Sequence, residues 1–246
     1  MTGDSATHPE STAPGHAAAD SDRTEDLRHL LDRAALVEQR VRRAVADRRQ
    51  TDPDPDDAFR GLYLSDEAVQ RLLDHGRSLT GPDDADATAL AQAETRARAA
   101  GRPTRLHALA SAFRLTDLDV ELLLVALLPD LDDRFEAFYG YLNDDVTRRR
   151  PSIGLALGLC GVSPADAEVR GRLTPRAPLC DAGLLLVEDV ERPFLGRSLR
   201  VPDRVTAHLL GDDTPDPRLT GLLPPGPHTG LSGVGDPAPL ARALAA

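Results

Sequence analysis

The run DLDVELLLVALL at 117–128 constrains the fold of this chain more than any other stretch. A helix through it is apolar almost all round, so it has to be buried on more than one side. The surrounding segment, 115–161, supplies two of the walls it needs. Thr116 or Asp117 can cap the helix, because a short side-chain oxygen accepts a free first-turn N–H. Pro129 is expected to end it. Asp132 and Asp133 open a second helix, where acidic charge suits the positive end of the dipole. Phe135, Phe138, Tyr139 and Leu142 fall on one face of that helix. Four of the eight aromatic residues lie between 135 and 141, which concentrates the aromatic packing area there. A third helix starts near Pro151, carries Ser152, Ile153, Leu155, Ala156, Leu157 and Leu159, and stops at Gly161.

Upstream, residues 1–24 have almost no large apolar side chain and cannot offset the entropy of ordering, so a disordered tail is expected. His8 and His16 in it read as solvated bystanders. Between 25 and 49, Leu27, Leu30, Leu31, Ala34, Ala35, Val37, Val41 and Val45 recur at spacings of three and four. This predicts an amphipathic helix docked on its own domain; a coiled-coil arm wants about three to four heptads. Arg40, Arg42, Arg43, Arg48 and Arg49 gather toward its C-terminal end and complement the dipole. Pro53 and Pro55 then break the helix. Phe59, Leu62, Tyr63 and Leu64 form a short anchor, and a helix runs over 65–75. The acids of 52–57 lack the central Gly and distal Glu of a Ca²⁺ loop and read as a solvated turn. A polar loop spans 78–88, and helix returns over 88–113 with a break at 101–103. Leu106, Leu109, Ala110 and Phe113 share a face, while His107, one step off it, is expected to face solvent.

Beyond the central helices, Ser163-Pro164-Ala165-Asp166 is a helix start, with the helix ending near Leu173 and a turn at Pro175 and Pro178. An apolar run at 184–187 predicts a strand. SLRV at 198–201 alternates Leu199 and Val201 inward against Ser198 and Arg200 outward, predicting its hairpin partner. A last helix follows Pro202 and Asp203 and closes at Gly211. Three helices followed by a hairpin are the elements of a winged helix. The expected fold is mostly α: a helical N-terminal region at 25–100, then a winged-helix-like domain at 101–212 with a short β-hairpin wing. A Pro/Gly-rich linker occupies 213–246. It ends in LARALAA, a helix start that reads as the approach to a further domain.

The chemistry available is narrow. All 29 basic residues are Arg. With no lysine, a Schiff base and a standard P-loop are excluded. The net charge of −11 gains little from counterion release on a polyanion, which makes nucleic acid a poor partner. Cys160 and Cys180 are too few for a secreted disulfide scaffold; Cys160 reads as a buried thiol, and two free cysteines are expected. His29, His75, His107, His208 and His228 are scattered without metal-ligand spacing, so no zinc site is supported. The glycine run at 230–235 reads as flexible linker rather than a phosphate loop or nucleophile elbow. Asp144 and Asp145 read as helix-end charges neutralised by Arg148, Arg149 and Arg150. No catalytic residue, cofactor or metal is assigned, and the chain is not expected to be an enzyme. It has neither an apolar signal segment nor a membrane-length run, so a cytoplasmic protein is expected.

Arg148, Arg149 and Arg150 are the candidate interaction residues. A basic run before the third helix of a winged helix could touch phosphate if that helix enters the major groove. That helix, however, offers Ser152, Ile153, Gly154, Leu155, Ala156 and Leu157, with no Asn, Gln, Arg or Lys for base edges. A protein-facing or structural role is favoured.

The blocks DLDVELLLVALLPDLDDRFEAFYGYLNDDVTRRRPSIGLAL and RPFLGRSLRVPDRVTAHLLGDD, with FRGLYLSDEAVQRLL upstream, resemble the N-terminal winged-helix region of bacterial AAA+ ATPases. Notable among them are those encoded with extracellular contractile injection systems and related phage-tail-like particles. It covers roughly 25–215, and the ATPase motifs of that family find no place in this sequence. The resemblance implies a non-catalytic accessory domain that sits on an ATPase and binds substrate or particle proteins. A DNA-binding winged-helix regulator and a degenerate nucleotide-binding protein are the alternatives.

Overall fold

The structure, a computed structural model, describes residues 14–51 and 83–215. The expected anchor at 59–64, the helix at 65–75, the acids of 52–57 and the linker beyond 215 with its glycine run lie outside the described residues, as do His8, His75 and His228.

Helix α1, Pro14–Thr51, begins well before the expected residue 25. Its buried stripe is Leu30, Ala34, Val37, Val41 and Ala44, spaced at three and four as an amphipathic helix requires. Polar residues interrupt the stripe: His29, Arg33 and Arg40 are buried too. Arg40 therefore does not serve as a solvent-facing dipole charge. Helix α2, Asp84–Ala99, lies against α1. It starts inside the segment expected to be loop, because Asp83 and Asp86 form a reciprocal cap. The Asp86 N–H donates to Asp83 (2.9 Å) and the Asp83 N–H to Asp86 (3.2 Å), satisfying two first-turn donors. After a left-handed Gly101 (φ 73°), the short helix α3 spans Arg105–Ala112.

Helix α4, Asp117–Leu131, is the central element. Every residue from 122 to 128 is buried, as an all-round apolar helix demands. Thr116 is its cap, paired with Asp119. Pro129 does not end the helix, which runs through it to Leu131; the carbonyl it leaves unbonded finds a donor in the next element. That element is α5, Arg134–Asn143. It turns Phe135, Tyr139 and Leu142 into the core, with Phe138 edge-on to Phe135 at 5.6 Å between ring centroids. The left-handed Asp144 (φ 59°) stops it. Helix α6, Ile153–Leu159, is capped by Ser152, whose Oγ accepts the Leu155 N–H at 3.2 Å.

Two short helical pieces follow, α7 at Ala167–Gly171 and α8 at Pro178–Asp181. Asp166 rather than the Ser163-Pro164 pair caps α7, and the expected turn at Pro178 is the first residue of α8. Strands β1, Leu186–Glu188, and β2, Ser198–Arg200, pair antiparallel with Val187 opposite Leu199. Leu199 and Val201 are fully buried, as the alternation predicts. Ser152 adds a bridge to Ser198, flanked by Leu199 N–H to Pro151 carbonyl (2.9 Å) and Ile153 N–H to Arg197 carbonyl (2.8 Å). The chain entering α6 thus forms a third rung beside the hairpin. Helix α9, Asp203–Leu209, closes the described fold. Leu30, Val37 and Val41 of α1 belong to the same buried cluster as α4, α6, the hairpin and α9. Cys160 is buried and Cys180 half-buried, both as free thiols; burial pushes Cys160 up to about 12. Among the described residues no helix is long and apolar enough to cross a membrane.

Candidate functional site

The loop between α5 and α6 holds Arg148, Arg149 and Arg150, and each meets an acid. Arg148 pairs with Asp145 (3.3 Å), Arg149 with Glu136 (3.0 Å) and Arg150 with Asp130 (3.1 Å). Of the two acids expected to neutralise this run, only Asp145 does so. Asp144 accepts from Arg48 of α1 at 2.6 Å. Asn143 holds the loop from inside, its Nδ2 donating to the Arg150 carbonyl at 3.0 Å. The three guanidinium groups therefore sit in a neutralised patch rather than a positive field.

Helix α6 cannot present a reading face, because Ile153, Leu155, Ala156, Leu157 and Leu159 are all buried. Its remaining side is pressed under the wing. A Cβ on Gly154 would come within 3.2 Å of the Leu195 carbonyl oxygen, so glycine permits the approach. The strand rung at Ser152 places α6 first of the two helices that precede the hairpin; the second is α7 with α8. That second position is broken. Arg172, at the end of α7, donates through Nε to the buried Asp119 (2.9 Å) and again through Nη2, while Asp119 also accepts the Thr116 N–H at 2.7 Å. Arg170 lies over the Phe194 ring at 4.1 Å, tying α7 to the wing. At the wing tip Val190 and Leu195 are exposed, at 65% and 38%.

A family model, the winged helix domain (variant), matches residues 16–223. The chain belongs to this family. No curated protein and no solved structure matches it. The match covers most of α1 as well as the wing, so in this winged helix domain the long N-terminal helix falls within the family's unit.

In the DNA-binding form of a helix-turn-helix the second helix lies in the major groove. In this winged helix domain that position is two pieces of five and four residues, separated by Arg172 to Ala177. The helix weighed for groove contact in the sequence, α6, where a protein-facing or structural role is favoured, stands one helix before that position and is buried.

Sequence reasoning also missed a polar seam between α1, α2, α3 and α4. Arg33 bridges Glu94 (2.7 Å) and Glu121 (2.8 Å). Arg40 reaches Glu121 (2.5 Å) and Asp86 (3.5 Å). At one end His29 and His107 stack with centroids 4.5 Å apart and face the two oxygens of Glu94, at 3.3 and 2.6 Å. His107 is thus turned inward rather than to solvent. Burial lowers the His29 pKa from its ordinary value, against the hydrogen bond to Glu94. Burial alone would raise Glu94, but hydrogen bonding to His107 and His29 and the charges of His107 and Arg33 bring it down to about 2. The one local signal was the spacing of His29, Arg33 and Arg40 on a single face of α1.

Proposed function

We propose that this winged helix domain is a non-catalytic protein-interaction module, the accessory region of a cytoplasmic AAA+ ATPase of the kind encoded with contractile injection systems. It would hold a substrate or particle protein against the motor. The observation that carries the protein-binding reading is the broken second helix beside an apolar wing tip. Base-edge readout in the major groove sets a helix or a two-stranded ribbon with polar side chains against the bases, and in a helix-turn-helix that element is the second helix. Here α7 is pinned by Arg172 to Asp119, and the wing exposes two large apolar side chains, Val190 and Leu195, among the exposed Asp189, Glu191 and Pro193. The net charge of −11 and the neutralised arginine loop argue in the same direction. The absence of lysine removes the standard phosphate loop from this chain, and the link to an ATPase rests on the resemblance of the quoted blocks.

Fluorescence anisotropy with labelled duplex DNA at low salt separates the two main readings. A protein module gives no salt-dependent binding tighter than about 10⁻⁴ M, the weak end of non-specific association. Tighter, salt-dependent binding would make the domain a DNA-binding regulator. The ATPase link is tested by the coding DNA downstream of Ala246 and by co-elution with any AAA+ protein encoded there or beside it. Neither an in-frame phosphate loop nor a co-eluting ATPase would remove that link and leave the interaction module standing alone.

A further inference from the structure

We propose that His29, Glu94 and His107 form a binding site for one divalent transition-metal ion, Zn²⁺ being the best fit, at the junction of α1, α2 and α3. The three ligand atoms lie within 4.8 Å of one another, although the residues come from three separate helices. Two imidazoles and a carboxylate suit zinc and its transition-metal neighbours, whereas magnesium and calcium prefer oxygen donors. Three protein ligands leave a fourth position of the zinc tetrahedron for water.

Hydrogen counting makes the case sharper. The two Nδ1 atoms both meet Thr104 Oγ1, at 2.7 Å from His29 and 3.1 Å from His107. The two Nε2 atoms both meet Glu94. Four contacts need four hydrogens. Two neutral imidazoles and one hydroxyl supply three, and an ionised carboxylate supplies none, so one contact sets lone pair against lone pair unless a further proton or a cation sits there. A cation among the two Nε2 atoms and Glu94 removes the conflict. Both Nδ1–H groups then donate to Thr104, which has two lone pairs, and both Nε2 lone pairs point at the ion. This is the outer-shell pattern of metal-bound histidine, with its second nitrogen held by an oxygen.

Thr104 is consistent with that role. It is fully buried and stands at the N-cap of α3, yet its side chain makes no capping bond. Its hydroxyl is committed to the two rings instead. Arg33 occupies Glu94 Oε1 at 2.7 Å, which leaves Oε2 as the ligand oxygen. The positive charge of Arg33 is shared with Glu121 at 2.8 Å, and that of Arg102 nearby with Asp26 at 2.9 Å. An open groove of about 560 Å³, lined by Glu94, Arg98, Gly101, Arg102, Pro103 and His107, gives the ion a route in. His107, its side chain one-third exposed, is the ligand on that route. Zinc–nitrogen bonds are about 2.0–2.1 Å, so to seat the ion the His107–Glu94 contact, at 2.6 Å, has to open and the two stacked rings have to tilt toward a common point.

The test is titration of chelator-treated full chain with Zn²⁺ by calorimetry, and with Co²⁺ by visible absorption, near neutral pH. One equivalent is expected to bind. His107→Gln and Glu94→Gln should abolish it, and Thr104→Val, acting through the ring orientation, should weaken it about 10–100-fold. His208→Gln should leave it unchanged. Circular dichroism checks that the variants fold. On the unmodified chain, Co²⁺ should broaden the NMR ring signals of His29 and His107 before those of other histidines. Absence of binding would mean that the cluster holds only a shared proton, and it would overturn the proposal. Undiminished binding by a folded His107→Gln or Glu94→Gln chain, or broadening confined to other histidines, would overturn it as well.

Discussion

The Tyr139 hydroxyl donates to the Val125 carbonyl across the α4–α5 interface at 2.8 Å. Val125 is the residue whose carbonyl would have bonded the N–H of residue 129, and Pro129 has none. Helix α4 can therefore run through a proline inside the core because a side chain from α5 supplies the missing donor. Removing that hydroxyl should orphan a buried carbonyl. Tyr139→Phe is expected to cost about 1–3 kcal/mol, read as a lower urea midpoint with an unchanged slope. In a Pro129→Ala background the helix N–H returns, and the same substitution should cost clearly less. Equal costs in the two backgrounds would show that the bond and the proline are not coupled.

Arg40 is almost fully buried and spans Glu121 on α4 and Asp86 on α2. Its guanidinium joins three helices. Deleting one member of a buried charge network leaves its partners desolvated and unpaired, at a cost of about 3–5 kcal/mol. Arg40→Met keeps much of the side-chain bulk and should still show a loss of that size in denaturant unfolding. The double change Arg40→Met with Glu121→Gln should recover part of it. If Arg40→Met proved neutral, packing rather than charge pairing would be holding the seam.

Those two relationships mark the border of what could be read from the residues alone. The α4 helix was legible because no amphipathic pattern fits 117–128 and burial on several sides is the alternative. The hairpin was legible because Leu199 and Val201 alternate with polar neighbours. Pro129 read as a stop because the local rule is sound, and only a donor from another helix overrides it. Asp83 and Asp86 were visible, but an aspartate pair can serve a turn as well as a cap. The histidine cluster was hidden for a different reason. His29, Glu94 and His107 have no mutual spacing that a sequence pattern can express, and the packing of three helices alone brings them together. Arg148, Arg149 and Arg150 stand out in the sequence as a basic run, but the partners of Arg149 and Arg150, Glu136 and Asp130, come from neighbouring helices.

Stability in acid should depend on Asp213. The hydrogen bonds from Arg105 hold its pKa down at about 2 from an ordinary 3.8, burial opposing and His208 assisting; both Arg105 contacts are 2.6 Å. A carboxylate whose folded pKa lies below its unfolded value stabilises the fold above the unfolded pKa, and the contribution is lost as pH falls through the folded one. The window is thus from about 4 down to about 2. The group is partly solvated, so after discounting for screening the contribution is about 1 kcal/mol. Asp213→Asn should be less stable than the parent near neutral pH and should converge on it at the acid end of the window. A constant difference between the two proteins across that range would exclude the linkage.

The arginine loop gives the prediction with the most direct bearing on function. Arg148, Arg149 and Arg150 each pair with an acid of the same chain, and an exposed pair of this kind contributes about 0.2–1 kcal/mol. Changing all three to alanine removes three positive charges, which in a phosphate-binding loop would flatten the salt dependence of DNA affinity by about one unit of slope per contact. Because these side chains are already neutralised and the adjoining α6 is buried, the triple variant is expected to leave duplex-DNA affinity at the same negligible level. Its urea midpoint should fall only modestly. A clear loss of measured DNA binding in the triple variant, with the fold intact by circular dichroism, would mean that the loop releases its acids to meet phosphate.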